Sequence, residues 1–342
     1  MNKKHQIPTP PHPHKRREAL PWQQPKTTEE DPEALQRVQA ILNSPSYRRA
    51  ENDSEFLAQD DVRGVRLQID YLKPELLLEE HEIHQTIVVF GSTRICEPAT
   101  ARRKAEALRA SLAGDASNVE LERRLAIAER LHAKSHYYEV AREFGRLVGG
   151  ANHGTRKHHT VIVTGGGPGM MEAANRGAFD VGAKSVGLNI NLPHEQYPNP
   201  YVTPELCFSL HYFALRKLHF LLRAKALVAF PGGYGTFDEL FEVLTLVQTR
   251  KIKPIPVVLV GEVYWRRAVD MDFLSMKVPS IRRIGICSGL LRQHKTSGTV
   301  FCIGTKRAVS RCALQREMAG LQHCCNAPCS LIWDWKIHRR AP

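Results

Sequence analysis

Short runs of consecutive apolar residues alternate, through the middle of this chain, with longer segments that have helical periodicity. The apolar runs lie at residues 87–90, 161–164, 185–192, 226–230 and 256–260, and their length predicts buried strands. Helical periodicity occupies residues 136–148, 168–179, 211–224 and 237–248. Because strands alternate with helices, we predict an α/β fold with a doubly wound parallel sheet flanked by helices.

The segments around this core differ in composition, and we expect four regions. Residues 1–31 are rich in Pro, His and basic residues, which predicts a disordered basic arm. Residues 32–80 predict a helical extension, residues 81–274 hold the sheet, and residues 275–342 form an atypical tail. No apolar run is long enough for a membrane helix and the N-terminus lacks a secretory signal, so we expect a cytoplasmic protein without a membrane partner.

The net charge of +13 is concentrated in the tail. Residues 276–342 hold 12 basic and 2 acidic residues, whereas the remainder holds 36 and 33. The main body is therefore nearly balanced, and we expect no nucleic-acid partner for it. Nucleic-acid binding through the basic tail stays open as an alternative, with steep salt dependence as its signature.

The tail also holds six of the eight cysteines, and its amino-acid composition differs from that of the rest of the chain. Its gain of Cys, Arg and Ser and its loss of acidic residues suggest a shifted reading frame or an unrelated replacement, with poor order. A genuine basic extension that binds a partner is the alternative. His323, Cys324, Cys325 and Cys329 match no paired Cys-x2-Cys pattern. We therefore predict no metal site.

Two glycine-rich loops each follow a predicted strand and precede a predicted helix. They are TGGGPGMME at residues 164–172 and PGGYGTFDE at residues 231–239, and a third loop, GSTR, follows the first strand at residues 91–94. At such junctions the first helical amides lack partners and the helix dipole is positive, so they bind phosphate well. The alternative is that the glycines only serve tight turns.

The motifs favour a mononucleotide as the phosphorylated ligand. Met170 stands where a dinucleotide loop would have its third glycine, and Asn189 and Asn191 stand where a ribose-binding acid is expected. The chain also lacks the GxxxxGK[ST] loop that holds a triphosphate.

Charged residues beside the second loop offer a site for chemistry. Glu239 is placed to stabilise an oxocarbenium ion or to activate water, although Thr236 and Glu239 also have the spacing of a helix capping box. Arg216 and Lys217 lie in a largely apolar helix, where they would bind phosphate or ribose. Salt bridges to Asp238 or Glu242 are the alternative.

These motifs resemble one family of phosphoribohydrolases. VTGGGPGMMEAANRGA, FALRK and PGGYGTFDEL, with TIVVFGSTR, LNINLPHEQYPNPYV and LVQTRKIKPIPVVLVG, are similar to the LONELY GUY proteins, in the long bacterial form. The resemblance covers residues 62–274. It implies a Rossmann-like homodimer without metal or cofactor, which hydrolyses cytokinin riboside 5′-monophosphates or AMP to free base and ribose 5-phosphate.

The resemblance also assigns residues. It implies Glu239 and Arg216 as catalytic groups, and a larger set as substrate-binding: Ser92, Arg94, Gly165, Gly166, Gly167, Gly169, Met170, Glu172, Glu195, Lys217, Gly232, Gly233, Tyr234, Gly235, Thr236 and Asp238. The alternative function is a non-catalytic carrier of a phosphorylated cofactor such as molybdopterin, which needs the loops but no catalytic carboxylate. A lysine decarboxylase would need a lysine placed for a Schiff base, and we find none.

Overall fold

The computed structural model describes residues 26–151, 160–190, 197–270 and 273–274, and the backbone of two strands at 285–293 and 296–304. The chain divides into two compact units, Met1–Arg66 and Leu67–Pro342. The first unit holds α1 (Ala34–Leu42) and α2 (Ser54–Ala58), and the Asp53 carboxylate caps α2 by accepting the Phe56 amide. Of the expected disordered arm, residues 1–25 lie outside the described part of the chain.

Six parallel strands form the centre of the second unit. They are β1 (Gln85–Phe90), β2 (Thr160–Thr164), β3 (Ser185–Ile190), β4 (Cys207–Leu210), β5 (Ala224–Ala229) and β6 (Val257–Val260), in the order β4-β3-β2-β1-β5-β6. The predicted Rossmann-like doubly wound sheet is confirmed. The chain moves outward from β1 to β4 and then returns to β5 on the other side of β1. This reversal is the point at which open α/β sheets bind ligands.

Helices cover both faces of the sheet. They are α3 (Arg63–Glu80), α4 (Pro98–Gly114), α5 (Val119–Lys134), α6 (His136–Gly150), α7 (Met170–Asp180), α8 (Phe213–Leu222), α9 (Tyr234–Gln248) and α10 (Glu262–Ala268). Successive residues of β1 enter two different cores: Val88 and Phe90 pack with α8 and α9, while Ile87 and Val89 pack with α6 and α7. Two buried faces explain why the strands are apolar at every position.

Two further strands extend the sheet beyond β6. They are β7 (Gly285–Gln293) and β8 (Thr296–Gly304), which form a hairpin, and β8 pairs antiparallel with β6. The sequence analysis had assigned no element to these residues. The remaining tail residues, including the His323 and Cys324 group, lie outside the described ranges. No helix within those ranges is long and apolar enough to cross a membrane.

Candidate functional site

Main-chain hydrogen bonds join the three predicted loops at the carboxyl edge of the sheet. The Ser92 amide donates to the Pro231 carbonyl at 2.9 Å, and the Ser92 carbonyl accepts the Met170 amide at 3.0 Å. The Phe230 amide donates to the Phe90 carbonyl at 2.8 Å. Because β1 lies between β2 and β5, its loop contacts both glycine-rich loops, and the three form one continuous surface.

The first glycine-rich loop has two residues in the left-handed region. Gly166 has a φ of +69°, and a Cβ there would lie 1.7 Å from Asn189 Oδ1. Gly169 has a φ of +76°, and its Cβ would lie 2.3 Å from the Ser92 carbonyl oxygen. A side chain at either position would meet both strain and a clash. Glycine is therefore required at both positions, because neighbouring segments of the protein approach too closely to leave room for a side chain.

A buried amide network holds this loop in place, and the sequence analysis did not find it. Thr164 Oγ1 donates to Asn175 Oδ1 at 2.7 Å and accepts the Gly166 amide at 2.9 Å. Asn199 Nδ2 donates to Asn175 Oδ1 at 3.0 Å and to the Gly167 carbonyl at 3.1 Å. The available signal was Asn175 itself, a polar residue inside the apolar face of α7 that must find partners when buried.

Two residues of this loop make contacts within the protein. Met170 is fully buried, and its side chain packs against Gly91, where a Cβ would lie 2.7 Å away. Its side chain therefore supports the loops from the core. The Glu172 carboxylate accepts the Tyr138 hydroxyl at 2.7 Å and so connects α7 with α6.

The second glycine-rich loop turns directly into α9, which begins earlier than predicted. Its N-cap is Gly233 and its first residue is Tyr234, so Thr236 lies inside the helix and cannot form a capping box with Glu239. That alternative is wrong. In the described part of the chain the amides of Gly233, Tyr234 and Gly235 donate to no backbone acceptor, and all three residues are exposed. They present free donors at the positive end of a helix.

Two contacts fix the start of α9. The Thr236 side chain is buried against Gly232, where a Cβ would lie 2.1 Å from Thr236 Oγ1. The Tyr264 hydroxyl of α10 donates to the Gly232 carbonyl. Tyr264 is a second residue that the sequence analysis missed, because its contact depends on how α10 packs.

Glu239 is a buried carboxyl group two turns into α9, with 7% of its surface exposed. Burial disfavours the ionised form and raises its pKa to about 7, and the nearby carboxylates of Glu242 and Asp238 add to the rise. The positive charges of Lys217 and Arg216 partly offset it. A carboxyl group with a pKa near neutrality can exchange protons under ordinary conditions.

Arg216 lies against the first glycine-rich loop, near enough to Glu239 for their charges to interact. Its Nε donates to the Leu188 carbonyl at 2.7 Å, and its guanidinium lies 5.3 Å from the ring centre of Phe220. A Cβ on Gly165 would lie 2.3 Å from Arg216 Nη2, which places the guanidinium against that loop. Burial lowers the pKa of Arg216, but a guanidinium stays protonated at neutral pH.

Lys217 has a different environment from its neighbour. Its Nζ lies 2.7 Å from Asp238 Oδ2 and 3.3 Å from Glu242 Oε2. Burial lowers the pKa of Lys217, but the carboxylates of Asp238, Glu239 and Glu242 together outweigh it, and the net pKa is raised. The salt-bridge alternative therefore holds for Lys217 and Asp238, while Arg216 remains beside the loops.

The side chains of the remaining predicted residues have more varied surroundings where the structure describes them. Ser92 Oγ accepts the Arg94 amide at 3.1 Å, and the Arg94 side chain is exposed. Tyr234 is 95% exposed. It borders a groove of about 480 Å³ along the outer side of α9, which is lined by Tyr234, Phe237, Asp238, Phe241, Glu242, Thr245 and Leu246. Glu195 and Asn191 lie outside the described residues.

Comparisons with known proteins support the resemblance. Residues 171–278 match a family model described as "Possible lysine decarboxylase". The probable cytokinin riboside 5′-monophosphate phosphoribohydrolase LOGL5 of Oryza sativa subsp. japonica is 33% identical over 133 residues, which are 36% of this chain and 52% of that protein. The cytokinin riboside 5′-monophosphate phosphoribohydrolase LOG2 of Arabidopsis thaliana is 26% identical over 151 residues, 42% of this chain and 67% of that protein.

The chain thus spans about half the length of the first of these relatives. Among solved structures, the X-ray structure of TM1055, a structural genomics target, aligns over 47% of this chain and 69% of that chain, at 20% identity and a TM-score of 0.29. At that score the fold assignment depends on the observed strand order alone. The region matched by the family model contains α8, α9 and the second glycine-rich loop, and the chain is similar to the named LOG proteins over 36% to 42% of its length.

Proposed function

We propose that this protein hydrolyses the N-glycosidic bond of a nucleoside 5′-monophosphate, releasing the free base and ribose 5-phosphate. The observation that carries the proposal is the buried Glu239 carboxyl, with a pKa of about 7, beside Arg216 and the joined loops. A carrier would need the loops and their free amides, but it would have no need of a buried carboxyl group tuned to neutral pH.

The phosphate of the ligand would bind at the start of α9. The amides of Gly233, Tyr234 and Gly235 are exposed donors there, and the helix dipole adds positive potential. Glu239 lies in the second turn of the same helix. Phosphate binding at the helix start would bring the ribose towards this carboxyl group.

Glu239 would act on the sugar in its ionised form. As the C1′–N bond breaks, its electron pair leaves with the base and positive charge develops at C1′, which a carboxylate stabilises. Water then attacks C1′, Glu239 accepts one proton from that water, and the same proton passes to the departing base, which restores the ionised carboxylate. Arg216, held by Leu188 and pressed against Gly165, would orient the phosphate and ribose.

The names of the relatives indicate the substrate class. LOGL5 and LOG2 are named as cytokinin riboside 5′-monophosphate phosphoribohydrolases, so cytokinin riboside monophosphates and AMP are the proposed substrates. Decarboxylation through a Schiff base has no support at this site, because Lys217 is ion-paired with two carboxylates. We also propose a homodimer, which light scattering would detect.

The test is product analysis. The protein is incubated separately with AMP and with isopentenyladenosine monophosphate, and free base and ribose 5-phosphate are quantified by chromatography. We expect equal molar amounts of both products from at least one substrate, and loss of release in Glu239→Gln. Tight binding of AMP without any base release would favour the carrier instead. Base release at the wild-type rate from Glu239→Gln would contradict the role of this carboxylate.

A further inference from the structure

The part of α3 within the second unit contacts both ends of α8, although it lies far from the predicted site residues in sequence. At the start of α8, Asp70 Oδ1 and Oδ2 each accept the His211 amide at 3.1 Å, and Oδ2 accepts the Tyr212 amide at 3.0 Å. The N-cap residue Tyr212 has no cap from its own side chain. Asp70 therefore anchors the turn that leads into α8 with a carboxylate supplied from 141 residues away.

The other end of α8 is held by Glu75 of the same helix. Both oxygens of its carboxylate bind the guanidinium of Arg223, with Oε2 at 3.0 Å from Nη2. Arg223 Nε also donates to the Ile83 carbonyl at 2.8 Å, just before β1. These bonds are bidentate and partly buried, which makes them geometrically specific.

Between the two carboxylates, an aromatic contact fills the interface. The buried ring of His219 stacks on Tyr71 with 5.4 Å between ring centres, and its Nδ1 lies 3.2 Å from Glu75 Oε1. Burial lowers the pKa of His219, so the ring is neutral at pH 7. α8 is therefore fixed at its start, middle and end by one face of α3.

A short chain of bonds connects Asp70 with Arg216. The Tyr212 amide donates to Asp70, and the Tyr212 carbonyl accepts the Arg216 amide at 3.1 Å. One peptide residue thus separates the carboxylate from the backbone of Arg216. The guanidinium in turn depends on its position along α8 to reach the Leu188 carbonyl and Gly165.

We infer that Asp70 and Glu75 are positioning residues for Arg216, which fix α8 along its axis so that the guanidinium stays against the glycine-rich loops. The inference rests on the proposed function, since it gives these carboxylates a part in the same reaction. A misplacement of about 1 Å in a positioned group can cost about 100-fold in rate. A shift of α8 by a fraction of a helical turn is enough to produce it.

The experiment is a double-mutant cycle between Asp70 and Arg216, with kcat and KM measured for base release from AMP. We expect Asp70→Ala to lower kcat/KM by about tenfold or more, and Asp70→Asn to restore part of it, because its carbonyl oxygen still accepts an amide. Glu75→Gln lowers kcat/KM as well, while Glu80→Gln, an exposed carboxylate at the end of α3, leaves it unchanged. In the Arg216→Ala background, Asp70→Ala should have almost no further effect.

Two outcomes overturn the inference. One is a folded Asp70→Ala protein, verified by circular dichroism, with wild-type kcat and KM; the other is full additivity with Arg216→Ala, which would mean a purely structural role. If Asp70→Ala does not fold, Asp70→Asn and Glu75→Gln take its place in the double-mutant cycle with Arg216→Ala. If the wild type releases no base, the proposed function fails, and the cycle is repeated on AMP affinity by calorimetry. Independent effects of Asp70 and Arg216 on that affinity would then refute the positioning role.

Discussion

The buried carboxyl group of Glu239 makes the stability of this protein depend on pH in a specific direction. Its pKa rises from 4.5 to about 7 on folding, so the folded state holds the proton more tightly than the unfolded state. Stability from this group is fully present below about pH 4.5 and is lost as pH rises through about 7. Linkage gives a loss of about 2.5 kcal/mol between pH 5 and pH 8.5.

Glu239→Gln removes this titration, so the unfolding free energy of the variant should not show this fall between pH 5 and pH 8.5. Relative to wild type, the variant should gain about 2.5 kcal/mol on going from pH 5 to pH 8.5. Any fixed difference between a buried amide and a buried carboxyl group cancels in this comparison of two pH values. The same substitution should abolish base release, so the variant would lose less stability than wild type as pH rises and would be inactive.

The measurement is urea unfolding at pH 5, 7 and 8.5, followed by far-ultraviolet circular dichroism. Glu80→Gln, an exposed carboxylate on α3, is the control and should follow the wild-type curve. Parallel curves of stability against pH for wild type and Glu239→Gln would refute the reasoning, because they would mean that Glu239 has the same proton affinity in both states.

Three further results are expected. First, kcat/KM for AMP cleavage should fall as pH drops below about 7, because the ionised Glu239 is the active form. Lys217→Met should move this fall in kcat/KM to higher pH, because the lysine lowers the pKa of the Glu239 carboxyl group. A flat pH–rate profile would contradict both expectations. Second, Arg216→Lys should lower kcat/KM by about 100-fold in steady-state assays, since the ammonium group of lysine cannot replace the planar guanidinium that reaches the Leu188 carbonyl and Gly165. Third, Gly166→Ala should destabilise the protein by about 2 kcal/mol or more in urea unfolding, because of the positive φ at this position and the clash with Asn189. The control Gly64→Ala has open space around the new methyl group and should be neutral or slightly stabilising. Equal stability of the two variants would contradict this explanation.

The central strands could be predicted because each is a continuous run of apolar residues buried on both faces. The edge strand β4 escaped prediction because only Phe208 and Leu210 are buried, while Ser209 between them is exposed. Four residues with one alternation give too little periodicity to separate a strand from a loop. The start of α9 was placed at Phe237 instead of Tyr234 because Gly235 lowers helix propensity, and the tertiary contacts of Gly232 with Thr236 and Tyr264 are invisible in sequence.

The positions of Glu239 and Arg216 next to the loops followed from motif and topology together. What each charge contacts did not, because neighbouring residues on one helix can face different partners: Arg216 reaches the Leu188 carbonyl, while Lys217 binds Asp238 and Glu242. The contacts of Asp70 and Glu75 with the ends of α8 could not be predicted either, because hydrogen bonds between residues about 140 positions apart produce no periodic pattern in the sequence. Burial and long-range pairing decide these roles, and both depend on the folded chain.

The bridge at Ser92 uses only main-chain atoms, with its N–H directed to Pro231 and its C=O to Met170. A substitution at this position leaves both atoms in place, so many side chains should be compatible with the connection. Inserting or deleting one residue between Phe90 and Ile95 would instead move the bonding peptide out of reach of one partner. Related sequences should therefore keep the length of this turn constant.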